Sequence, residues 1–209
     1  VHQDLDALSA AAARRDFRPV ETGMRAAVTV SSRVRHIQSA NVVGRLPGSD
    51  SSLAREAVLF TAHYDHKGIG IPVRGDSIYN GAEDNASGVA AMLGVADALA
   101  RGPRPRRGIL FIATTAEESG LLGSAAYAAD PLVPLARTAA VINLDHANVR
   151  GRTRDISGLG ADRSSLGPAL AAAARAESLT VVEIPDVRGS FFRSDHFPLA
   201  RAGVPALSL

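Results

Sequence analysis

The sequence predicts an α/β fold: a three-layer sandwich with a mixed, mostly parallel central sheet and helices on both faces. Three observations predict it. Short apolar runs of strand length alternate with longer helix-like runs. The best strands are nearly continuous in apolar residues, as expected of strands buried on both sides. Three of them run directly into polar clusters: His63 and Asp65 after the first, Glu117 and Glu118 after the second, Asp145 after the third. In open sheets of this type, ligands bind beyond the carboxyl ends of the strands, so the three clusters point to one site.

The elements follow in order. Residues 7–13 are alanine-rich and read as helix, because alanine has the best helix propensity. Residues 26–31 and 39–45 read as strands, and 46–50 (LPGSD) as a turn. Residues 57–62 (AVLFTA) form a buried strand, and the glycine-rich stretch 67–79 reads as a surface loop. Residues 87–101 (SGVAAMLGVADALAR) form a helix with Ser87 as its N-cap, ended by Gly102-Pro103. Strands at 108–115 and 139–144 flank a helix at 121–129. A helix at 168–176 and strands at 180–184 and 204–209 complete the pattern. Residues 1–209 are expected to form a single catalytic domain. The start at Val1 and the stop on a strand with no covering helix read as an excised or truncated piece.

Composition narrows the function classes. Hydrophobic residues make up 46% of the 209 and charged residues 21%, enough apolar surface for a packed core. The net charge is +2, and the arginines form no long basic tract, so a nucleic-acid partner is not expected. No apolar run approaches the roughly 20 residues of a membrane span, and no signal peptide is visible. The chain has no cysteine, which excludes disulfides, thiol nucleophiles and thiolate zinc sites. The donors at the strand ends are therefore imidazole and carboxylate. Such donors suit zinc, and also cobalt or manganese. Two histidines and several carboxylates exceed the three protein ligands of one catalytic zinc and suit two metals sharing a carboxylate.

Five segments then carry a specific resemblance. TAHYDH (61–66), GAEDNASG (81–88), TTAEESGLLGS (114–124), NLDH (143–146) and RSDHFP (193–198) resemble, in this order, the motif series of the zinc aminopeptidases with co-catalytic metals. The resemblance runs from about Phe17 to the end. It is nearest to the catalytic domain of bacterial members that also carry a protease-associated domain, which this chain does not contain. It implies a metal-dependent exopeptidase that hydrolyses the N-terminal peptide bond of peptides with a free N-terminus, using two zinc ions. By the family pattern, Asp84 bridges the metals, His63 and Asp145 complete one ligand set, and Glu118 and His196 complete the other. Asp65 accepts the free ring N–H of His63. Glu117 is the base that activates the metal-bridging water. Asp84, Glu118, Asp145 and a hydroxide would together balance the four positive charges of two divalent ions. The relatives are mostly exported, which implies an extracellular or periplasmic location.

Other readings stand beside this one. A glutaminyl cyclase-like transferase shares the pattern with a single zinc. A carboxypeptidase would need a cationic pocket, to which Arg193 could contribute, and a non-catalytic binding domain would keep only the fold. Asp84 and Asp145 also suit turn or cap positions. His66 and His146 have no ligand role in the family and read as supporting or structural residues. Phe191, Phe192 and Phe197 fit either a substrate pocket or the core. None of Tyr64, Tyr79 and Tyr127 matches an oxyanion-stabilising position, so that task is expected to fall to a metal.

Overall fold

The computed structural model describes residues 4–34, 36–184 and 189–209. The chain divides into two compact units, Val1–Ile37 and Gln38–Leu209. In the first, α1 (Leu5–Ala12) begins at Asp4, whose carboxylate accepts from the N–H groups of Asp6 and Ala7. The expected strand at 26–31 does not form. Val28 and Val30 are each 79% exposed. Apolar alternation makes a strand only where a ladder partner satisfies its N–H and C=O groups, and this stretch has none among the described residues.

The second unit contains, in chain order, β1 (Val42–Leu46), β2 (Ala57–His63), β3 (Gly68–Val73), β4 (Asp76–Tyr79), α2 (Ser87–Arg101), β5 (Gly108–Thr114), α3 (Leu122–Ala129), β6 (Thr138–Asn143), β7 (Asp155–Ile156), α4 (Leu166–Ala176), β8 (Thr180–Val181), α5 (His196–Arg201) and β9 (Ala206–Ser208). The central sheet has the order β1-β5-β2-β6-β9. β1 runs antiparallel to β5, and the other pairs are parallel, so the sheet is mixed and mostly parallel as the sequence predicts.

Strand alternation distributes the core over two faces. On one, Leu59 of β2, Leu110 and Ile112 of β5 and Val141 of β6 pack with Tyr127 of α3 and Leu199 of α5. On the other, Ile142 and Leu207 pack with Ala161 and with Leu170 of α4. The adjacent residues Val141 and Ile142 thus serve opposite sides. α2 packs against β2 and β5.

Four local expectations change. The stretch 67–79 is a hairpin, not a loop: β3 and β4 pair antiparallel around Arg74 (φ 53°) and Gly75 (φ 89°). Positive φ at both central residues is the twist that a two-residue hairpin turn requires. The strand at 180–184 is confined to Thr180–Val181, and that at 39–45 shifts to Val42–Leu46. Ser87 lies inside its helix and does not cap it. The chain enters α2 through a wider turn, Ala82–Ala86, so the Asn85 side chain accepts from the Gly88 N–H while the Ser87 hydroxyl donates to the Glu83 carbonyl.

Leu59 sits in the centre of the sheet with no exposed surface. Leu59→Ala should cost about 2–5 kcal/mol of unfolding free energy in a urea titration, because the close-packed strands cannot collapse onto the void.

Candidate metal centre

The registers pair His63 with Thr114 and Thr61 with Asn143, which aligns the carboxyl ends of β2, β5 and β6. The polar residues that follow these strands therefore open onto one cleft of about 1050 Å³, lined by His63, Asp84, Glu117, Glu118, Asp145 and His146 among others. The single site expected from the strand ends exists.

His63 is buried at the end of β2. Its Nδ1 lies 3.0 Å from the Asp65 backbone carbonyl. A carbonyl can only accept, so the proton sits on Nδ1 and Nε2 faces the cleft. There Nε2 is 3.0 Å from Asp84 Oδ1 and 3.3 Å from Asp145 Oδ1. Burial opposes charge on this ring, but the hydrogen bond and charge of Asp145, with Glu117, outweigh it and raise the pKa to about 9. A nitrogen so placed requires a positive charge, either a proton or a metal ion.

Asp65 differs from expectation. Its backbone carbonyl, not its carboxylate, takes the His63 N–H. The carboxylate is 3.8 Å from His63 Nδ1 and instead accepts from the Glu117 backbone N–H at 3.1 Å. The side chain bridges from β2 to the turn after β5 and so orients the Glu117 backbone.

That turn starts at Ala116, a non-glycine residue at φ 55°. Leu121 (φ 60°) and His146 (φ 63°), also beside the cleft elements, share this costly conformation. Burial raises the pKa of Glu117 to about 7. The charge on His63 opposes the rise, and the negative charges of Asp145, Asp195 and Glu118 add to it. Asp145 follows the opposite course: burial raises it, yet hydrogen bonds from His63 and Ser194 leave it below the ordinary value. The Ser194 hydroxyl donates to Asp145 Oδ2 at 2.6 Å and accepts from Asn143 Nδ2 at 2.6 Å, so the carboxylate is braced from β6.

Asp84 lies in the Ala82–Ala86 turn, where its peptide bond to Asn85 is cis. Asn85 is fully buried and fixes this turn with three bonds. Its Nδ2 donates to the Leu144 carbonyl at 2.9 Å. Its Oδ1 accepts from the N–H groups of Gly88 at 3.0 Å and His146 at 3.2 Å. A Cβ at position 88 would collide with both Asn85 Oδ1 and the Leu144 carbonyl, so the close approach requires glycine.

Two groups of donors result: His63, Asp84 and Asp145, and His66, Asp84 and Glu118. In each, one atom per residue lies within 4.8 Å of the others. Asp84 belongs to both. His66 Nδ1 is 2.6 Å from Glu118 Oε1 and 3.8 Å from Asp84 Oδ2. His146 is 55% exposed on the open side, with Nε2 3.4 Å from Asp84 Oδ2. His196 enters neither group. It is fully buried at the start of α5, its ring edge-on to Phe191 at 5.0 Å. The physical reason is its neighbour Asp195, which accepts from the hydroxyls of Thr114 and Ser124 and so fixes the start of α5 in the core. Phe191, Phe192 and Phe197 pack edge-to-face on one another, and Arg163 stacks on Phe191 at 4.0 Å. Arg193 lines the cleft. The Tyr64 and Tyr79 hydroxyls donate to the carbonyls of Ala40 and Ile71, and Tyr127 is in the core.

The donors fit a metal pair. Asp84, Glu117, Glu118 and Asp145 share one cleft, and divalent ions would offset their repulsion. His66 Nδ1 and Glu118 Oε1 are buried and pair at 2.6 Å, with no hydrogen bond from either among the described residues. Imidazole nitrogen and carboxylate oxygen are zinc donors, and also suit cobalt or manganese. His66 was given no ligand role by the motif pattern. Its place in the second donor group had one signal in the sequence, a second imidazole three residues after His63, where the chain leaves the strand.

Comparison with known proteins agrees with this chemistry. A sequence profile described as Peptidase family M28 matches residues 41–209. Among curated relatives, the vacuolar membrane protease of Clavispora lusitaniae is 35% identical over 119 residues, 57% of this chain and 10% of that protein. The mouse protein named Aminopeptidase NAALADL1 is 34% identical over 129 residues, 59% of this chain and 16% of that protein. A zinc aminopeptidase structure from Bacillus subtilis superposes with a TM-score of 0.60 at 28% identity, covering 80% of this chain and 39% of that one. A Porphyromonas gingivalis glutaminyl cyclase has the same TM-score at 21% identity, covering 80% and 62%, and shares the fold. The chain thus spans about a tenth of the length of the first curated relatives it matches. The expected extracellular or periplasmic location is corrected by these relatives, which are named for the vacuolar membrane. Among the described residues, no helix is long and apolar enough to cross a membrane.

Asn85→Ala removes three bonds to buried backbone groups at once. Unfolding free energy should fall by roughly 1–3 kcal/mol, measured by urea titration of the metal-free protein.

Proposed function

The chain belongs to peptidase family M28, and from this premise we propose that residues 38–209 form the catalytic unit of a two-metal aminopeptidase. The observation that carries the reading is the pair of donor groups joined by Asp84. Asp84 would be the shared ligand, His63 and Asp145 would hold one zinc ion, and Glu118 would belong to the other. Zinc at this centre supplies Lewis acidity, which in favourable sites brings the pKa of water down to about 7.

The remaining steps belong to the protein. Glu117, whose pKa burial raises to about 7 in the metal-free protein, is suited to accept a proton at neutral pH. It takes a proton from the attacking water and returns it to the leaving amine. Asp65 holds the Glu117 backbone through its N–H. Ser194 keeps Asp145 ionised and oriented. The carboxylate-rich cleft favours a substrate that arrives with a positive charge, as a free peptide N-terminus does. The aminopeptidases of Bacillus subtilis and mouse named above support this choice of substrate.

Glu117→Gln should lower kcat by about two to four orders of magnitude while bound zinc stays unchanged, because the amide keeps the shape but cannot accept a proton. Normal turnover by this variant would remove Glu117 from the mechanism. A chelator should abolish hydrolysis, and zinc, cobalt or manganese should restore it. On a panel of aminoacyl anilides and peptides, free N-termini should be cleaved and N-acetylated ones left intact. Cyclisation of N-terminal glutamine without peptide hydrolysis would overturn the peptidase reading in favour of a cyclase.

A further inference from the structure

We propose that Arg193 binds a carboxylate of the substrate, carried by one of the two residues that flank the scissile bond. The proposal rests on the aminopeptidase reading and narrows its preferred substrates to dipeptides, or to peptides with an acidic residue beside that bond.

Arg193 stands where the chain passes from the cleft into the core. The three residues after it, Ser194, Asp195 and His196, are buried. Its own N–H donates to the Ser190 carbonyl at 3.0 Å. The backbone is thus held on both sides, while the side chain is exposed and lines the cleft. The next residue, Ser194, donates to Asp145 at 2.6 Å, and Asp145 shares a donor group with His63 and Asp84. Adjacent Cα atoms are about 3.8 Å apart, and a peptide advances at most ~3.3–3.6 Å per residue. The residues flanking a peptide bond at the metal centre are therefore the ones on the scale of its reach.

Three cationic side chains line this cleft: Lys67, Arg163 and Arg193. Lys67 stands over the Tyr79 ring at 5.9 Å, and Arg163 stacks on Phe191 at 4.0 Å. Arg193 makes no ion pair, side-chain hydrogen bond or ring contact among the described residues. Beyond the four carboxylates of the metal centre, the lining holds Asp162 and Glu183, and neither pairs with Arg193. Cationic side chains therefore exceed carboxylate side chains by one in this part of the cleft. A guanidinium is always charged, and its planar fork matches the two oxygens of a carboxylate. An uncommitted fork on a fixed backbone suits that group. A substrate that carries an amine and a carboxylate close together is complementary to both the acidic donor groups and Arg193.

The test is hydrolysis by the zinc-loaded 209-residue protein of three matched pairs. Alanyl-alanine against its amide probes a C-terminal carboxylate. Alanyl-aspartate amide against alanyl-asparagine amide probes the second side chain. Aspartyl-alanine amide against asparaginyl-alanine amide probes the first. In at least one pair, wild type should favour the carboxylate by about tenfold in kcat/KM, and that pair identifies the source. Arg193→Gln should bring this ratio close to one, mainly by raising KM for the carboxylate substrate. Arg193→Lys should keep part of it, and zinc content and circular dichroism of both variants should match wild type. Absence of a carboxylate preference in all three pairs would overturn the proposal and leave the aminopeptidase reading intact. Equal losses on both members of the preferred pair in Arg193→Gln would also overturn it, because Arg193 would then act on structure alone. If wild type hydrolyses none of the six, the aminopeptidase reading fails and this proposal with it.

Discussion

Four carboxylates, from Asp84, Glu117, Glu118 and Asp145, line one cleft at the ends of three parallel strands. Their mutual repulsion is the constraint on which the rest of the site depends. Carboxylates gathered at this spacing repel one another unless positive charge compensates them. In the metal-free protein partial compensation comes from His63, whose pKa is raised to about 9, and from hydroxyl and backbone donors to Asp145 and Asp65. In the metal-loaded protein divalent ions would take over from the proton on His63, and Asp84 belongs to both donor groups.

The scaffold serves this constraint by fixing backbone before side chains. Asn85 links the Asp84 turn to the start of α2 and the end of β6 with three bonds from one amide. Asp65 links the end of β2 to the turn after β5. Ser194 and Asn143 form a hydrogen-bonded chain behind Asp145. The left-handed residues Ala116, Leu121 and His146 sit where chain direction changes sharply next to the cleft. Strain at these points is tolerated because packing over-determines it. Leu59 and Val141, fully buried, pack the adjoining strands β2 and β6 into the core.

The sheet was legible because β2, β5 and β6 are apolar runs with one register that buries them. The cleft was legible because polar clusters follow each of these strands. The stretch 26–31 misled because alternation signals a strand without naming its partner. The 67–79 hairpin was obscured by glycines that shape its turn, although Ile69, Ile71 and Val73 alternate across it. At the site, His63, Asp84, Glu118 and Asp145 come together as the motifs implied. His66 joins a donor group that the motifs did not give it, whereas His196 packs at the start of α5 against Phe191. Asp65 was legible as a neighbour of His63, but only the backbone path reveals that its carbonyl and its carboxylate serve different residues.

Sharing of Asp84 is the central claim, and calorimetric zinc titration of the Asp84→Asn protein tests it most directly. The account predicts that both binding events weaken together, because each donor group loses the same carboxylate. Loss of one event with the other unchanged would contradict it.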